Sequence, residues 1–189
     1  MTDPKGNVTS YTYDSADRLT GVSSGNASNT YGYDSRSRLS AITHNGFQYF
    51  FTYDALGNQQ TVRLVNGSGS RQLISNTYWP NSGQLKLATY GNGDTVSFTY
   101  DTLGRVKTTT YSGGRTLSYT YNGEGQLASM TDSTGNTDTY QYDSLGRLVG
   151  SGQSASGSRA SYTYDSSGRM TGREFSYPGL TTAAERYYY

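Results

Sequence analysis

The chain has 189 residues with 15 basic and 14 acidic side chains, a formal net charge of +1, 32% hydrophobic residues and 20 tyrosines. This balanced and interspersed charge offers no electrostatic footprint for nucleic acid or an anionic membrane, and no apolar run approaches the roughly 20 residues that cross a bilayer. The absence of cysteine excludes a disulfide framework and thiol chemistry.

Aliphatic residues are scarce, so tyrosine must supply the burial; abundant aromatics at near-zero net charge speak for an ordered chain. From the N-terminus the sequence gives a turn signal, TDPKGN at Thr2–Asn7, and then an aromatic pair at Tyr11 and Tyr13. Similar units follow in order: YTYDSADRL, YGYDSRSRL, FTYDALGNQ, NTYWPNSGQL, FTYDTLGRV, YTYNGEGQL, YQYDSLGRL and YTYDSSGRM. Aligned on the second aromatic, they place Tyr13, Tyr33, Tyr53, Tyr78, Tyr100, Tyr121, Tyr142 and Tyr164 at intervals of 20, 20, 25, 22, 21, 21 and 22 residues. The period is near 21, the mark of an internal repeat. TDSTGN at Thr131–Asn136 repeats the leading turn, so one period holds two turns and two strands. Tyr187 and Tyr189 fit the aromatic slots of a ninth unit. Residues 1–189 therefore read as a single array of about eight repeats plus the start of a ninth, cut from a longer protein.

Alternation along a strand sends both members of each Tyr-x-Tyr pair to one face and the intervening residue to the other. The eight aligned tyrosines should thus form rows that act as the core. No segment sustains a 3.6-residue apolar period, so helix should be scarce. Each D-x-x-G reads as a turn in which Asp binds backbone N–H groups and Gly supplies a positive φ. The structural turn residues are Asp14, Asp101, Gly104, Arg105, Asp143, Gly146, Arg147, Asp165, Gly168 and Arg169. Asp17 and Ser37 stand where Gly is expected, and Ser37 should mark the most altered or strained turn. Pro80 and Asn81 imply a longer turn in the fourth unit. The predicted fold is all-β: tandem β-hairpins of about 21 residues forming a continuous twisted or spiralling sheet.

Chemistry finds little purchase in this pattern. GVSSG at Gly21–Gly25 matches G-x-S-x-G, but the motif needs a strand-to-helix turn and a nearby histidine, and the chain's one histidine, His44, lies in another turn-like stretch. The Asp/Arg pairs 14/18, 34/38, 101/105, 143/147 and 165/169 read as turn-capping ion pairs, since an active site is not repeated at every period. GNGD at Gly91–Asp94 and DSTGNTD at Asp132–Asp138 lack the ligand set of a calcium loop. Trp79 reads as a plug at an irregular turn. Sequons at Asn7, Asn26 and Asn66 permit glycosylation in an exported chain. No catalytic, metal or cofactor residue is expected.

The Y-x-Y-D-x-x-G-R-L unit, with TDPKGN or TDSTGN leading into it, resembles the YD repeats of the Rhs (rearrangement hot spot) family over essentially the whole chain. The resemblance implies a large secreted or cell-surface protein whose hairpins spiral into a hollow shell, as in bacterial polymorphic toxins, insecticidal toxin complexes and teneurins. In the toxins such a shell encloses a separate C-terminal toxin domain, and its wall is not an enzyme. The family's self-cleaving D-P-x-G region is not matched, because DPKG at Asp3–Gly6 reads as an ordinary repeat turn. The expected function is a non-enzymatic wall segment; the alternative is an extracellular fibre or adhesin that binds glycans. The expected partners are neighbouring repeats, further copies, an enclosed toxin domain or surface glycans, with no nucleic acid and no membrane insertion by this segment.

Overall fold

The computed structural model describes Thr2 and residues 8–189. The leading turn at Asp3–Gly6 and the sequon at Asn7 lie outside the described residues. Among the described residues there is no helix; seventeen antiparallel strands belong to one sheet. The chain divides into two compact units, Met1–Ser97 and Phe98–Tyr189. The first contains β1 (Thr9–Tyr13), β2 (Leu19–Ser24), β3 (Ala27–Tyr33), β4 (Leu39–His44), β5 (Phe47–Tyr53), β6 (Gln59–Asn66), β7 (Gly69–Tyr78) and β8 (Leu85–Tyr90). β9 (Thr95–Tyr100) spans the boundary. The second unit contains β10 (Val106–Tyr111), β11 (Thr116–Tyr121), β12 (Leu127–Asp132), β13 (Thr137–Tyr142), β14 (Leu148–Gln153), β15 (Arg159–Tyr164), β16 (Met170–Ser176) and β17 (Ala183–Arg186).

Within each unit every strand pairs with the next one in sequence, which is why the repeat can be read locally. Each second aromatic ends the outgoing strand of a hairpin, and a Leu, Val or Met, or Gln59 in the third unit, opens the return strand. The register shifts at the second aromatic: Thr12 faces Gly21, but Tyr13 faces Leu19. The same bulge recurs at Tyr33, Tyr53, Tyr78, Tyr121, Tyr142 and Tyr164. An extra residue at this point re-aims the strand into the turn.

The sheet has two unlike faces. Opposed pairs such as Tyr11/Val22, Tyr31/Ile42, Tyr119/Met130 and Tyr162/Arg173 line one face. On the other stand Thr52/Thr61 and Thr120/Ser129, bonded to each other through their hydroxyls at 2.7 and 2.6 Å. Burial is modest because, among the described residues, strands contact only their neighbours in the sheet and no second layer covers either face within a unit. Ala88 and Leu117, at 6% and 8% exposure, are the buried apolar residues, and both lie on the aromatic face. The tyrosine rows are half-buried rather than enclosed, with Tyr13 still 60% exposed.

Gly57, Gly104, Gly125, Gly146 and Gly168 all have positive φ, and Asp17 and Ser37 adopt the same region at 57° and 60°. The second turn is nevertheless unaltered in its bonding: Ser37 N–H donates to Asp34 O at 3.0 Å and Asp34 N–H to Arg38 O at 2.8 Å, as in its neighbours. Its strain is confined to φ. In the fourth unit Gly83 N–H reaches back to Trp79 O and Trp79 N–H to Gln84 O, the longer turn implied by Pro80 and Asn81. Gly91 is required for a different reason, since a Cβ there would stand 2.6 Å from the Gln72 carbonyl oxygen.

These positions give a paired prediction for urea unfolding. Ser37→Gly should stabilise by about 0.5–1 kcal/mol, the left-handed penalty relieved less the extra entropy of glycine. Gly91→Ala should cost about 1–3 kcal/mol, because the obstruction is backbone. Gly113→Ala, with open space around it, should stay within about 0.5 kcal/mol.

Candidate functional site

The repeated polar cluster at each hairpin turn is the most developed arrangement of charged groups in the chain. It begins with Asp14, whose Oδ1 accepts the N–H groups of Ala16 at 2.9 Å and Arg18 at 3.0 Å. Its Oδ2 accepts Arg18 Nε at 2.7 Å. Asp34, Asp101, Asp143 and Asp165 reproduce this set with Arg38, Arg105, Arg147 and Arg169, each ion pair closing to 2.7 Å. The bonds are local, so the spacing of four residues fixes them.

The guanidinium then reaches out of its own hairpin. Arg18 lies 4.7 Å above the Tyr33 ring, Arg38 4.5 Å above Tyr53, Arg105 4.4 Å above Tyr121, Arg147 4.7 Å above Tyr164 and Arg169 4.7 Å above Tyr189. In every case the ring belongs to the next unit. Arg38 Nη1 also donates to Asp54 O and Arg147 Nη1 to Asp165 O, both at 3.1 Å, joining one turn to the following one.

The same rings carry a second link. The β2–β3 ladder ends at Gly21/Thr30, leaving the Leu19 carbonyl beyond it, and the Tyr33 hydroxyl donates to that oxygen at 2.8 Å. Tyr53 donates to Leu39 O, Tyr78 to Gln59 O, Tyr121 to Val106 O and Tyr164 to Leu148 O, at 2.6–2.8 Å. A backbone acceptor that the bulge puts out of reach of the ladder is satisfied by a side chain. Sequence reasoning placed the tyrosines in rows and the Asp/Arg pairs in turns but missed both links between units.

Three units vary the chemistry. In the third, Asn58 replaces Arg and donates its amide to Asp54 Oδ2 at 2.9 Å. In the sixth, Asn122 Oδ1 accepts the N–H groups of Glu124 and Gln126, its amide donates to Gln126 Oε1 at 3.0 Å, and Gln126 Nε2 reaches Gly146 O at 2.8 Å. Trp79, in the fourth unit, carries Lys86 Nζ 4.6 Å from its ring.

Hydrogen bonding sets the acidity of the turns. The Arg18 N–H, then the Arg18 side chain, hold the Asp14 carboxyl below its ordinary value against the opposing effect of desolvation, and Asp34, Asp101, Asp143 and Asp165 are lowered by the equivalent donors. Asp54 is lowered first by the Asn58 amide. Asp132 falls to about 2, chiefly through the Thr134 hydroxyl, which donates to Oδ1 at 2.6 Å. Burial raises the phenols of Tyr100, Tyr121 and Tyr140.

The other sequence candidates are kept apart. Ser23 faces Ser28 on the hydroxyl face, whereas His44 faces Asn29 on the opposite one and bonds its side chain. No nucleophile and base meet there. GNGD and DSTGNTD form turns in which Asn92 bonds Asp94, and Thr134 and Asn136 bond Asp132. Asn26 lies in the short turn between β2 and β3; Asn66 closes β6, with Oδ1 accepting Ser68 N–H at 2.9 Å.

The architecture is that of a tandem β-hairpin repeat protein in which recurrent side-chain links join neighbouring hairpins. The profile of the RHS Repeat family matches residues 1–28, 79–116 and 121–153, more than half of the sequence, and the chain belongs to that family. A search of curated protein sequences gave no match. The crystal structure of TcdB2-TccC3-Cdc42 superposes with a TM-score of 0.80 at 18% identity, over 93% of this chain and 12% of that one. TcdB2-TccC3 without its hypervariable C-terminal region gives 0.79 at 17% identity, over 93% and 11%. TcdB2-TccC3-TEV gives 0.75 at 19% identity, over 98% and 11%. At these identities the likeness is one of fold, and the chain spans about an eighth or less of the length of those structures.

Two outcomes test the turn cluster. A double-mutant cycle of Arg105→Ala and Tyr121→Leu should give a coupling of about 0.5–1 kcal/mol, while Tyr121→Phe should cost about 0.5–1.5 kcal/mol through the lost bond to Val106 O. The lowered carboxyls hold protons less tightly in the folded chain than in the unfolded one. Their stabilisation is therefore complete above the ordinary value of 3.8 and disappears as pH falls through the folded values, which reach about 2 at Asp132. Unfolding followed by circular dichroism should show this acid loss, and a flat profile between those limits would show that the bonds are not kept in solution.

Proposed function

We propose that this chain is a non-enzymatic wall segment of a larger, secreted or cell-surface Rhs-type protein, in which successive hairpins build a shell around a toxin domain encoded elsewhere. The observation that carries this reading is the in-register coupling of Asp, Arg and the next unit's Tyr, which commits the recurrent charged groups to joining units. The aligned tyrosines Tyr13, Tyr33, Tyr53, Tyr78, Tyr100, Tyr121, Tyr142 and Tyr164, and the turn residues from Asp14 to Arg169, are then structural. Residues 1–189 act as one array and one stretch of a longer wall, a reading supported by the small share of the TcdB2-TccC3 chains that it matches. Its partners are the adjoining repeats and the enclosed domain.

Negative-stain imaging of the native parent protein tests this. Discrete hollow particles are expected. Long uniform filaments would replace the shell with a fibre or adhesin of the same hairpins. Ester hydrolysis that disappears in Ser23→Ala would overturn the non-enzymatic reading itself.

A further inference from the structure

The aromatic face of the second compact unit has a gap. Register puts Tyr140, Ser151, Ala160 and Phe175 in one row across β13, β14, β15 and β16. The two central side chains are small. On β12 the residue that faces the first aromatic of its pair is Met130, and on β16 it is Arg173; on β14 it is Ser151. The result is an open recess of about 320 Å³ between the flanking rings, at the lower end of the range of small-molecule sites. Tyr162, edge-on to Phe175 with ring centroids 6.5 Å apart, Tyr177 and Asp138 complete its lining.

Asp138 is out of place as a structural residue. Aspartate is disfavoured within strands, and the aspartates of the repeat turns accept backbone N–H groups that organise those turns. Asp138 stands inside β13, and among the described residues neither a hydrogen bond nor an ion pair holds its carboxylate. The phenol of Tyr140 beside it is raised first by burial and then by this charge.

The surrounding guanidinium groups are engaged or turned away. Arg173, 5.7 Å from the Phe175 ring, is paired with Glu185 at 2.7 Å. Arg159 leaves on the hydroxyl face, its Cγ 3.9 Å from the point where a Gly152 Cβ would stand. Arg115 lines the adjoining recess with Asp132 and Asp138, one guanidinium against two carboxylates. The recess therefore offers the negative faces of several rings and a full negative charge. From Tyr140 to Phe175 is three strand spacings, about 14 Å, so one compact cation on the small floor can have a ring on each side near the roughly 6 Å reach of a cation–π contact.

We infer that this recess is a binding site for a small organic ammonium cation, seated on Ser151 and Ala160 between the Tyr140 and Phe175 rings and neutralised by Asp138. The site lies within the second compact unit and does not depend on whether the parent protein forms a shell.

Titration of the purified 189-residue chain with tetramethylammonium and with choline, followed by NMR, tests the assignment; the uncharged tert-butyl isostere of choline is the comparison. At least one cation should bind with Kd of about 1 mM or tighter, and the isostere should bind at least about tenfold more weakly. Asp138→Asn keeps the shape and removes the charge, and it should weaken cation binding about fivefold. Ser151→Met, which copies Met130 of β12, should fill the floor and abolish binding while leaving the circular dichroism spectrum unchanged. Should that variant misfold, Tyr177→Ala, at an exposed position beyond β16, should weaken binding without affecting the fold. Absence of binding by both cations, equal binding of the isostere, or binding that survives these substitutions would overturn the proposal.

Discussion

One contact holds this architecture together: the guanidinium that is bonded to the carboxylate of its own turn and stacked on the tyrosine of the next hairpin. A sheet without a covering layer cannot draw its cohesion from an enclosed core, and here hardly any apolar side chain is fully removed from water. Cohesion must pass from neighbour to neighbour. A single exposed stack contributes only about 0.5–1 kcal/mol and a tyrosine hydroxyl bond a similar amount. Repetition in register makes such terms count, since the stability of a repeat array is close to a sum of unit and nearest-neighbour contributions.

The demands of that contact explain the residue types of the repeat. Asp must hold the guanidinium flat and also organise the turn, so its two oxygens divide the work, Oδ1 taking backbone N–H groups and Oδ2 taking Nε. A residue tolerant of positive φ must follow three positions later, because the turn closes back on Asp. The ring must sit at the bulge, where it can lie beneath the guanidinium and put its hydroxyl against an otherwise unpaired carbonyl. The opposite face is freed from cohesion by these arrangements. It carries hydroxyl pairs bonded across strands, and it can lose side chains altogether at Gly150 and Gly152 without breaking the links on the other side.

Much of this was legible in the sequence because the fold is local. Tyr-x-Tyr alternation, D-x-x-G turns and a period near 21 residues are properties of adjacent residues, and consecutive pairing preserves them in space. The links between units were harder to see, since they join residues 14 to 20 positions apart, such as Tyr33 with Leu19 and Arg169 with Tyr189. A signal was nevertheless present. The first aromatic slot accepts Phe51, Asn76 and Phe98, whereas the second is tyrosine in all eight units. Packing alone would tolerate phenylalanine there, so the invariance within the chain marks a task for the hydroxyl. The facing of the β14 glycines was not legible, because LVGSGQ gains meaning only once the register places Gly150 and Gly152 on the hydroxyl face, opposite Gln141 and Thr139.

The sixth unit separates geometry from charge. Asn122 and Gln126 occupy the places of Asp and Arg, and they rebuild the turn bonds, the bond to each other and a bond to the next turn at Gly146. An amide pair cannot exchange a proton at neutral pH, yet it fits the array without disturbing the strands on either side. What the sixth unit supplies is therefore an acceptor for two N–H groups and a donor that reaches across to the following unit. Ionisation adds strength to that pattern in the other units but does not define it. The carboxylates of this chain consequently serve as oriented hydrogen-bond acceptors, and their low proton affinity follows from how well the turn satisfies them.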